Sequence, residues 1–390
     1  MLTNAIQTLY LPFDTPDRLF QPFSLEGRSY VARLEIHPRE GDAEEMGVFS
    51  TLALAAFACP SAKEVLWSSP ASMAANAQNF FGFFASEGPH DMDGKLVARA
   101  PLELLKLSFY EPLLTSTFGV NRLATSSRVM HTFLPAYCSQ LRSLEIKAYY
   151  RYEEGDDAME DVSQDTLGPF HLHLDTLVGL VNLERLRLAG DHFVVAAASQ
   201  PESGFAHLVD LQLDGTSGVD QLLYALAPRC AGTLQSLSIF HRRYRIDGQQ
   251  GSIGPPLAFP ALRELGLEYY SRHVVPCYLR TLLRGPFITL HLKATCWASV
   301  AEMVRAMVRT RSADVPLGDF GWTADLLADP RNFTRLRHVI VRVADVQGAS
   351  ADMGITAEEQ VQLREAIERS FGDMLAKRDV HLMLEGDWVS

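Results

Sequence analysis

The sequence holds no run of about 18 apolar residues, so it offers no helical segment able to span a bilayer. Its opening, MLTNAIQTLYLPFD, has no basic stretch leading into an apolar one, which predicts no signal peptide. Cysteine is scarce: Cys59, Cys138, Cys230, Cys277 and Cys296 are scattered and form no CxxC pair. An odd, dispersed set of this kind predicts reduced, mostly buried thiols and a cytoplasmic or nuclear setting. Positive charge is in deficit, with 35 Lys and Arg against 47 Asp and Glu and a net charge of -12. General affinity for phosphate backbones or anionic membrane is not expected on that ground, because both rely on a Lys/Arg excess.

Signatures of chemistry are missing too. The glycine segment Gly251–Gly254 does not fit a phosphate-binding loop, and no GxSxG, HExxH or EF-hand spacing occurs. We therefore expect no catalytic residue, no cofactor and no metal. The chain does have core-forming residues: 47% are apolar and 21% charged, which rules out global disorder.

Leucine recurs at a fixed spacing. Leu-x-x-Leu-x-Leu occurs at Leu102/Leu105/Leu107, Leu183/Leu186/Leu188, Leu208/Leu211/Leu213 and Leu262/Leu265/Leu267. Allowing other large apolar residues adds Ile6/Leu9/Leu11, Val31/Leu34/Ile36, Leu141/Leu144/Ile146, Leu234/Leu237/Ile239, Phe287/Leu290/Leu292 and Leu336/Val339/Val341. Weaker copies are Ala62/Val65/Trp67 and the terminal Leu382/Leu384. Central anchors at 186, 211, 237, 265 and 290 recur every 25 to 28 residues, inside the range of leucine-rich repeats. Elsewhere the steps are mostly longer, so the array is irregular and carries insertions.

Leu-x-Leu is a period-two pattern: both leucines point to one face of a short strand and the residue between them to the other. The return between strands is long enough for a helix. Gly218–Cys230 has Leu222, Leu223 and Leu226 at helical spacing, with Pro228 expected to end the helix. Val274–Gly285 has Leu279, Leu282 and Leu283, with Gly285 as its expected C-cap. Near the end, Thr356 and Glu359 have capping-box spacing ahead of an apolar stripe at Leu363, Ile367, Phe371 and Met374 or Leu375.

Such units bury nothing alone; their core lies between neighbours. The expected fold is α/β: one leucine-rich-repeat solenoid over 1–390, a horseshoe with a single parallel sheet of about twelve strands and helices on the convex side. It would be most regular over 141–293, with insertions near 68–100, 151–170 and 294–335 and a helix–strand cap over 356–390.

Three clusters invite a chemical reading, and each has a plainer one. His171, His173 and Asp175 would share a face if that segment is extended, but two histidines and an acid make a weak zinc set. The acid run from Glu153 to Asp165 matches no calcium loop and reads as a solvated insert. Cys59 and Cys138 read as small buried residues.

A partner would meet the residues flanking the inward leucines. These include Arg33, Glu35, Lys106, Ser108, Glu145, Lys147, Arg185, Arg187, Asp210, Gln212, Asp214, Ser236, Ser238, Glu264, Glu268, His291, Lys293, His338 and Arg342. Their mixed sign suits a protein more than nucleic acid. Segments after the anchors are rich in Tyr and Arg, the types enriched at binding hot spots. Read as loops on one rim, they place Tyr149, Tyr150, Arg151, Tyr152, Phe193, Phe240, Arg242, Arg243, Tyr244, Tyr269, Tyr270 and Arg272 in one patch beside Arg187 and Gln212. The competing reading has these aromatics packing among themselves over the core edge. A basic-aromatic rim also fits RNA, which the acidic insert and the net charge oppose.

The phrases FPALRELGLEYY, LVNLERLRLAG, GTLQSLSIFHRR and CPSAKEVLWSS resemble the irregular leucine-rich repeats of F-box-type proteins, particularly fungal ones. IQTLYLPF and HLMLEGDWVS look like the first and last strands of such arrays. The resemblance implies a substrate-holding module of a cullin-type ubiquitin ligase, with a protein partner on the concave face or loop rim. An F-box has no room ahead of Ile6, so a Skp-type adaptor is expected only if that segment lies outside this chain. The alternative expectation is a structural or self-associating repeat protein without a ligase role; an RNA-binding module or an enzyme ranks below both.

Overall fold

The computed structural model describes residues 8–12, 32–37, 63–70, 102–112, 131, 134–137, 140–151, 170–196, 205–217, 219–241, 255–268, 274–282, 285–294, 323, 326–343, 356–376 and 378–386. The chain forms two compact units, Met1–Leu208 and Val209–Ser390, and both are α/β with large parallel sheets.

Strands of the first unit are β1 (Thr8–Pro12), β2 (Arg33–His37), β3 (Glu64–Pro70), β4 (Leu104–Pro112), β5 (Ser143–Arg151), β6 (Phe170–His173) and β7 (Arg185–Ala196). They lie in the order β1-β2-β3-β4-β5-β7, with β6 paired to the far half of β7; a short helix, α1 (Leu174–Val178), follows β6. In the second unit β8 (Asp210–Ser217), β9 (Ser236–His241), β10 (Glu264–Glu268), β11 (Thr289–Ala294), β12 (His338–Val343) and β13 (His381–Gly386) lie side by side in chain order. Three helices accompany them: α2 (Val219–Cys230), α3 (Val274–Thr281) and α4 (Ala357–Ala376).

The register follows the leucine spacing. Leu9 pairs with Leu34, Leu34 with Val65, Val65 with Leu105, Leu105 with Leu144 and Leu144 with Leu186. In the second unit Leu211, Leu237, Leu265, Leu290, Val339 and Leu382 pair in succession. A slip of one residue would turn every leucine out of the core, so burial of one face fixes this register. The result is two stripes of closed packing: Leu105, Leu107, Leu144, Ile146, Leu186 and Leu188 in one unit, and Leu211, Leu213, Leu237, Ile239, Leu265 and Leu267 in the other.

Strand entry is also repeated. The N–H groups of Lys63, Glu103, Arg142 and Glu184 each donate to the carbonyl of the matching residue one strand back, at 2.8–2.9 Å, and the next residue donates to the same carbonyl. Gln235, Arg263, Ile288 and Arg337 do the same in the second unit. Ahead of this point lies a tight turn whose carbonyl accepts the N–H of the first apolar residue of the motif: Phe205 to Leu208, Phe259 to Leu262 and Phe333 to Leu336, all at about 3.0–3.1 Å. These three phenylalanines are buried, and Phe205 and Phe333 hold φ of 54° and 48°, a left-handed conformation that packing must sustain.

The helices match the apolar spacing, with shifted ends. In α2, Leu222, Leu223 and Leu226 are buried, but the helix passes Pro228 and stops at Cys230. A proline in the last turn removes only its own N–H bond, to the Tyr224 carbonyl, so the final residues still close. The α3 helix ends at Thr281, before the expected cap; Gly285 instead donates its N–H to the Leu282 carbonyl at 2.7 Å in a following turn. The buried Tyr278 of α3 donates its hydroxyl to Asp220 of α2, joining the two helices. In α4, Ile367, Phe371 and Leu375 are buried as the stripe required, and Thr356 accepts the Gln360 N–H at 3.1 Å. Cys230 and Cys277 are buried and form no disulfide, and burial pushes the Cys230 thiol pKa up to about 12. The expected insertions fall mostly outside the described residues, as do the acid run, Cys59, Cys138 and Cys296. Among the described residues, no helix is long and apolar enough to cross a membrane.

Candidate functional site

Alternation decides what the sheet shows on its other face. Between the paired leucines stand Lys106 on β4, Glu145 on β5 and Arg187 on β7, and the register sets them side by side in one row. Lys147, two residues beyond Glu145, lies on the same face. The Glu145 carboxylate accepts from Lys147 Nζ at 3.0 Å and meets Lys106 Nζ at 3.3 Å and Arg187 Nη1 at 3.5 Å. Burial alone would raise its pKa. The Lys147 hydrogen bond and the charges of Lys147, Arg187 and Lys106 outweigh that and hold the carboxyl below its ordinary value.

The arrangement is lopsided toward solvent. The side chain of Glu145 is 10% exposed, whereas those of Lys106, Lys147 and Arg187 are 40–41% exposed. Solvent therefore meets three cationic heads held on one covered acid. Nearby, Arg33 pairs with Glu35 at 2.6 Å on β2. At the strand entrances, Lys63 pairs with Glu103 at 2.9 Å and Arg142 with Glu184 at 2.6 Å. These last pairs are well exposed and contribute little stability.

The corresponding face of the second unit has a different character. Its row between the leucines reads Gln212, Ser238, Gly266 and His291, then Ile340 and Met383. A Cβ on Gly266 would stand 2.8 Å from Ser238 Oγ, so the floor is low there. Asp210, Asp214, Glu264 and Glu268 make this region acidic, while Lys293 lies over the Phe240 ring at 5.0 Å. Burial pushes the His291 pKa down, against a raising influence from Glu264.

Of the residues expected to form a rim patch, Arg187 and Gln212 lie on these faces as the alternation required. Tyr149, Tyr150 and Arg151 are not in a loop: they continue β5, paired with Tyr110, Glu111 and Pro112 of β4. Phe193 also belongs to a strand, and it is 1% exposed, packed edge-to-face against Phe170 with ring centres 6.0 Å apart. It is a core residue, which removes it from the patch. The β6 partner strand explains both points, since it prolongs β7 and covers the ring. Phe240, the last residue but one of β9, is 7% exposed and capped by Lys293 rather than offered to solvent. Tyr152, Arg242, Arg243, Tyr244, Tyr269, Tyr270 and Arg272 lie outside the described residues.

The histidine cluster is dispersed by secondary structure. His171 and His173 belong to β6, but Asp175 sits in the first turn of α1, so the three share no face. His173 has a different neighbour, His131: its backbone N–H donates to His131 Nε2 at 3.0 Å, and the two rings meet edge-to-face at 4.6 Å. Among the described residues no three His, Cys, Asp or Glu side chains converge on a metal-sized site.

The charged hub around Glu145 was the part that residue-by-residue reading missed. Its signal was available: Lys106, Glu145 and Arg187 occupy the same slot, the x of Leu-x-Leu, in three repeats. No protein-family model, curated protein or solved structure matches this chain.

Proposed function

We propose that the chain is a leucine-rich-repeat solenoid acting as a non-enzymatic protein-binding scaffold. One observation carries this reading: strands from separate repeats stand in register, so that the slots between their leucines form continuous rows of polar side chains, as with Lys106, Glu145 and Arg187. A packed leucine face holds those rows rigid, and rigidity lowers the ordering cost of binding. The mixed charge of the two faces suits a folded protein surface more than a uniform polyanion. By its resemblance the scaffold fits the substrate-holding part of an F-box-type ubiquitin ligase in the cytoplasm or nucleus, where a Skp-type adaptor would be reached through a segment outside this chain.

A second reading, self-association, is favoured by β13. Leu382 and Leu384 there are only half-buried although their partners Val339 and Val341 are fully buried, and Met383 is 55% exposed. Light scattering over a hundredfold dilution separates the two readings, since only self-association gives a mass that falls with concentration.

The scaffold reading is tested with a photoreactive residue placed at Ser108 or Ser143 on the strand face, or at Glu368 on the exposed side of α4, in extract of the native cell. A discrete protein adduct from the strand positions and none from α4 is the expected result. Equal labelling from both surfaces would overturn it.

A further inference from the structure

We propose that the Lys106–Lys147–Arg187 face of the first unit docks an acidic protein segment, its Asp and Glu side chains bridging the three cations. The proposal rests on the protein-binding reading and names the partner's chemistry. Three observations carry it. The chain bears a net charge of -12, yet here three cations converge on one acid. That acid is nearly covered, while the three cations keep about two-fifths of their side-chain surface in solvent. The Arg187 guanidinium is also only loosely held: it meets Glu145 through Nη1 at 3.5 Å, longer than an ordinary charge-assisted hydrogen bond. A planar fork held this loosely can turn its terminal N–H groups toward an arriving carboxylate.

The geometry favours carboxylates on a peptide over a nucleic-acid backbone. Glu145 stays ionised at the centre of the cluster, and Glu35 and Glu64 flank it on the same sheet. Closely spaced phosphates running across this face would meet those acids. A flexible acidic segment can set separate carboxylates against the exposed heads of Lys106, Lys147 and Arg187 and pass over Glu145, which is nearly covered.

The test uses the full chain and fluorescence anisotropy with three labelled probes: a glutamate-rich peptide, a lysine-rich peptide of equal length and an oligouridylate. The glutamate-rich peptide should bind preferentially, and more weakly as salt rises. Lys106→Gln with Arg187→Gln should weaken it about tenfold, a loss of roughly two charge contacts. Glu145→Gln should instead tighten it several-fold by removing the internal competitor. A merely structural role for the cluster would shift both variants in the same direction, so opposite signs are diagnostic. Thermal melts of each variant confirm that the probes meet folded protein. Preferential binding of oligouridylate, or no difference between the two peptides, overturns the proposal. If the photo-adduct at Ser108 persists undiminished in the double Gln variant, the scaffold reading stands and the acidic-segment proposal fails.

Discussion

Gly190 lies against the backbone of Ala148 so closely that a Cβ on the glycine would stand 2.2 Å from the Ala148 carbonyl oxygen. The pair is the last in the register between β5 and β7, just before β7 turns its pairing to β6. The Phe193 ring closes over the same spot, 2.8 Å from that missing methyl. Glycine is required here by approach of backbone to backbone rather than by a left-handed φ. Gly190→Ala should destabilise the first unit by about 1–3 kcal/mol, the usual range for overpacking. Gly232→Ala, where a Cβ would meet nothing within 4 Å, should be nearly neutral. Equilibrium urea unfolding of the two variants checks the contrast.

Arg378, just past α4, uses its guanidinium to hold the turn that precedes β12. Its nitrogens donate to the carbonyls of Leu327, of Asn332 at 2.8 Å and of Phe333 at 3.2 Å. Three carbonyls between Leu327 and Phe333, the last on a residue with φ of 48°, are thereby satisfied by a single side chain. Arg378→Ala should cost about 2–4 kcal/mol, since each stranded partly buried carbonyl costs about 1 kcal/mol or more. Arg378→Lys should recover little, because a point donor cannot span three acceptors. Hydrogen exchange should rise first over 326–336 and at the end of α4.

The strands and their register were legible because burial of one face imposes a period of two and a fixed step between repeats. The apolar anchors from Leu9 to Leu382 were named from spacing alone, and they are register partners within each unit. Strand ends were not legible. Tyr149 to Arg151 and Ala189 to Phe193 read as loops because they follow the Leu-x-Leu motif; they stay extended because β4, β5 and β6 supply partners from elsewhere in the chain. The apolar run Phe193, Val194, Val195 was a hint of that continuation. The turn phenylalanines were also within reach: Phe205, Phe259 and Phe333 all stand three residues before the first leucine of the motif. The shared slot of Lys106, Glu145 and Arg187 was legible, but their convergence on one carboxylate needed the register, since the hub's four members come from three repeats.

The two faces of a strand make a sharp internal control. Leu211 is fully buried and paired with Leu237, while Gln212, the next residue, lies on the open face beside Ser238. Leu211→Asp should unfold the second unit, because an unpaired carboxylate in a closed apolar stripe costs several kcal/mol and neighbouring repeats share that stripe. Gln212→Asp introduces the same charge one position on and should shift the melting temperature by no more than about 1–2 °C, as a surface change of roughly 0.5 kcal/mol would. Circular dichroism melts of the pair decide whether the alternation holds in solution.

His131 should make the first unit sensitive to mild acid. Burial and the neighbouring His173 push its pKa down to about 4, against a raising influence from the His171 backbone. Its Nε2 accepts the His173 N–H, which requires the neutral ring. The folded-state pKa lies below the unfolded value of about 6.5, so between those limits the unfolded chain binds the extra proton. Stability is therefore full above about pH 6.5 and falls as the pH drops toward 4, by an amount on the order of 3 kcal/mol from this group alone. His131→Gln, which offers an amide acceptor and no titration, should flatten that part of the stability profile while leaving the drop below about pH 4.5 that comes from Glu145. Proton NMR should show the His131 ring unprotonated at pH 5.5. A resonance that titrates near 6.5, or identical pH profiles for the two proteins, would contradict the desolvation of this ring against His173.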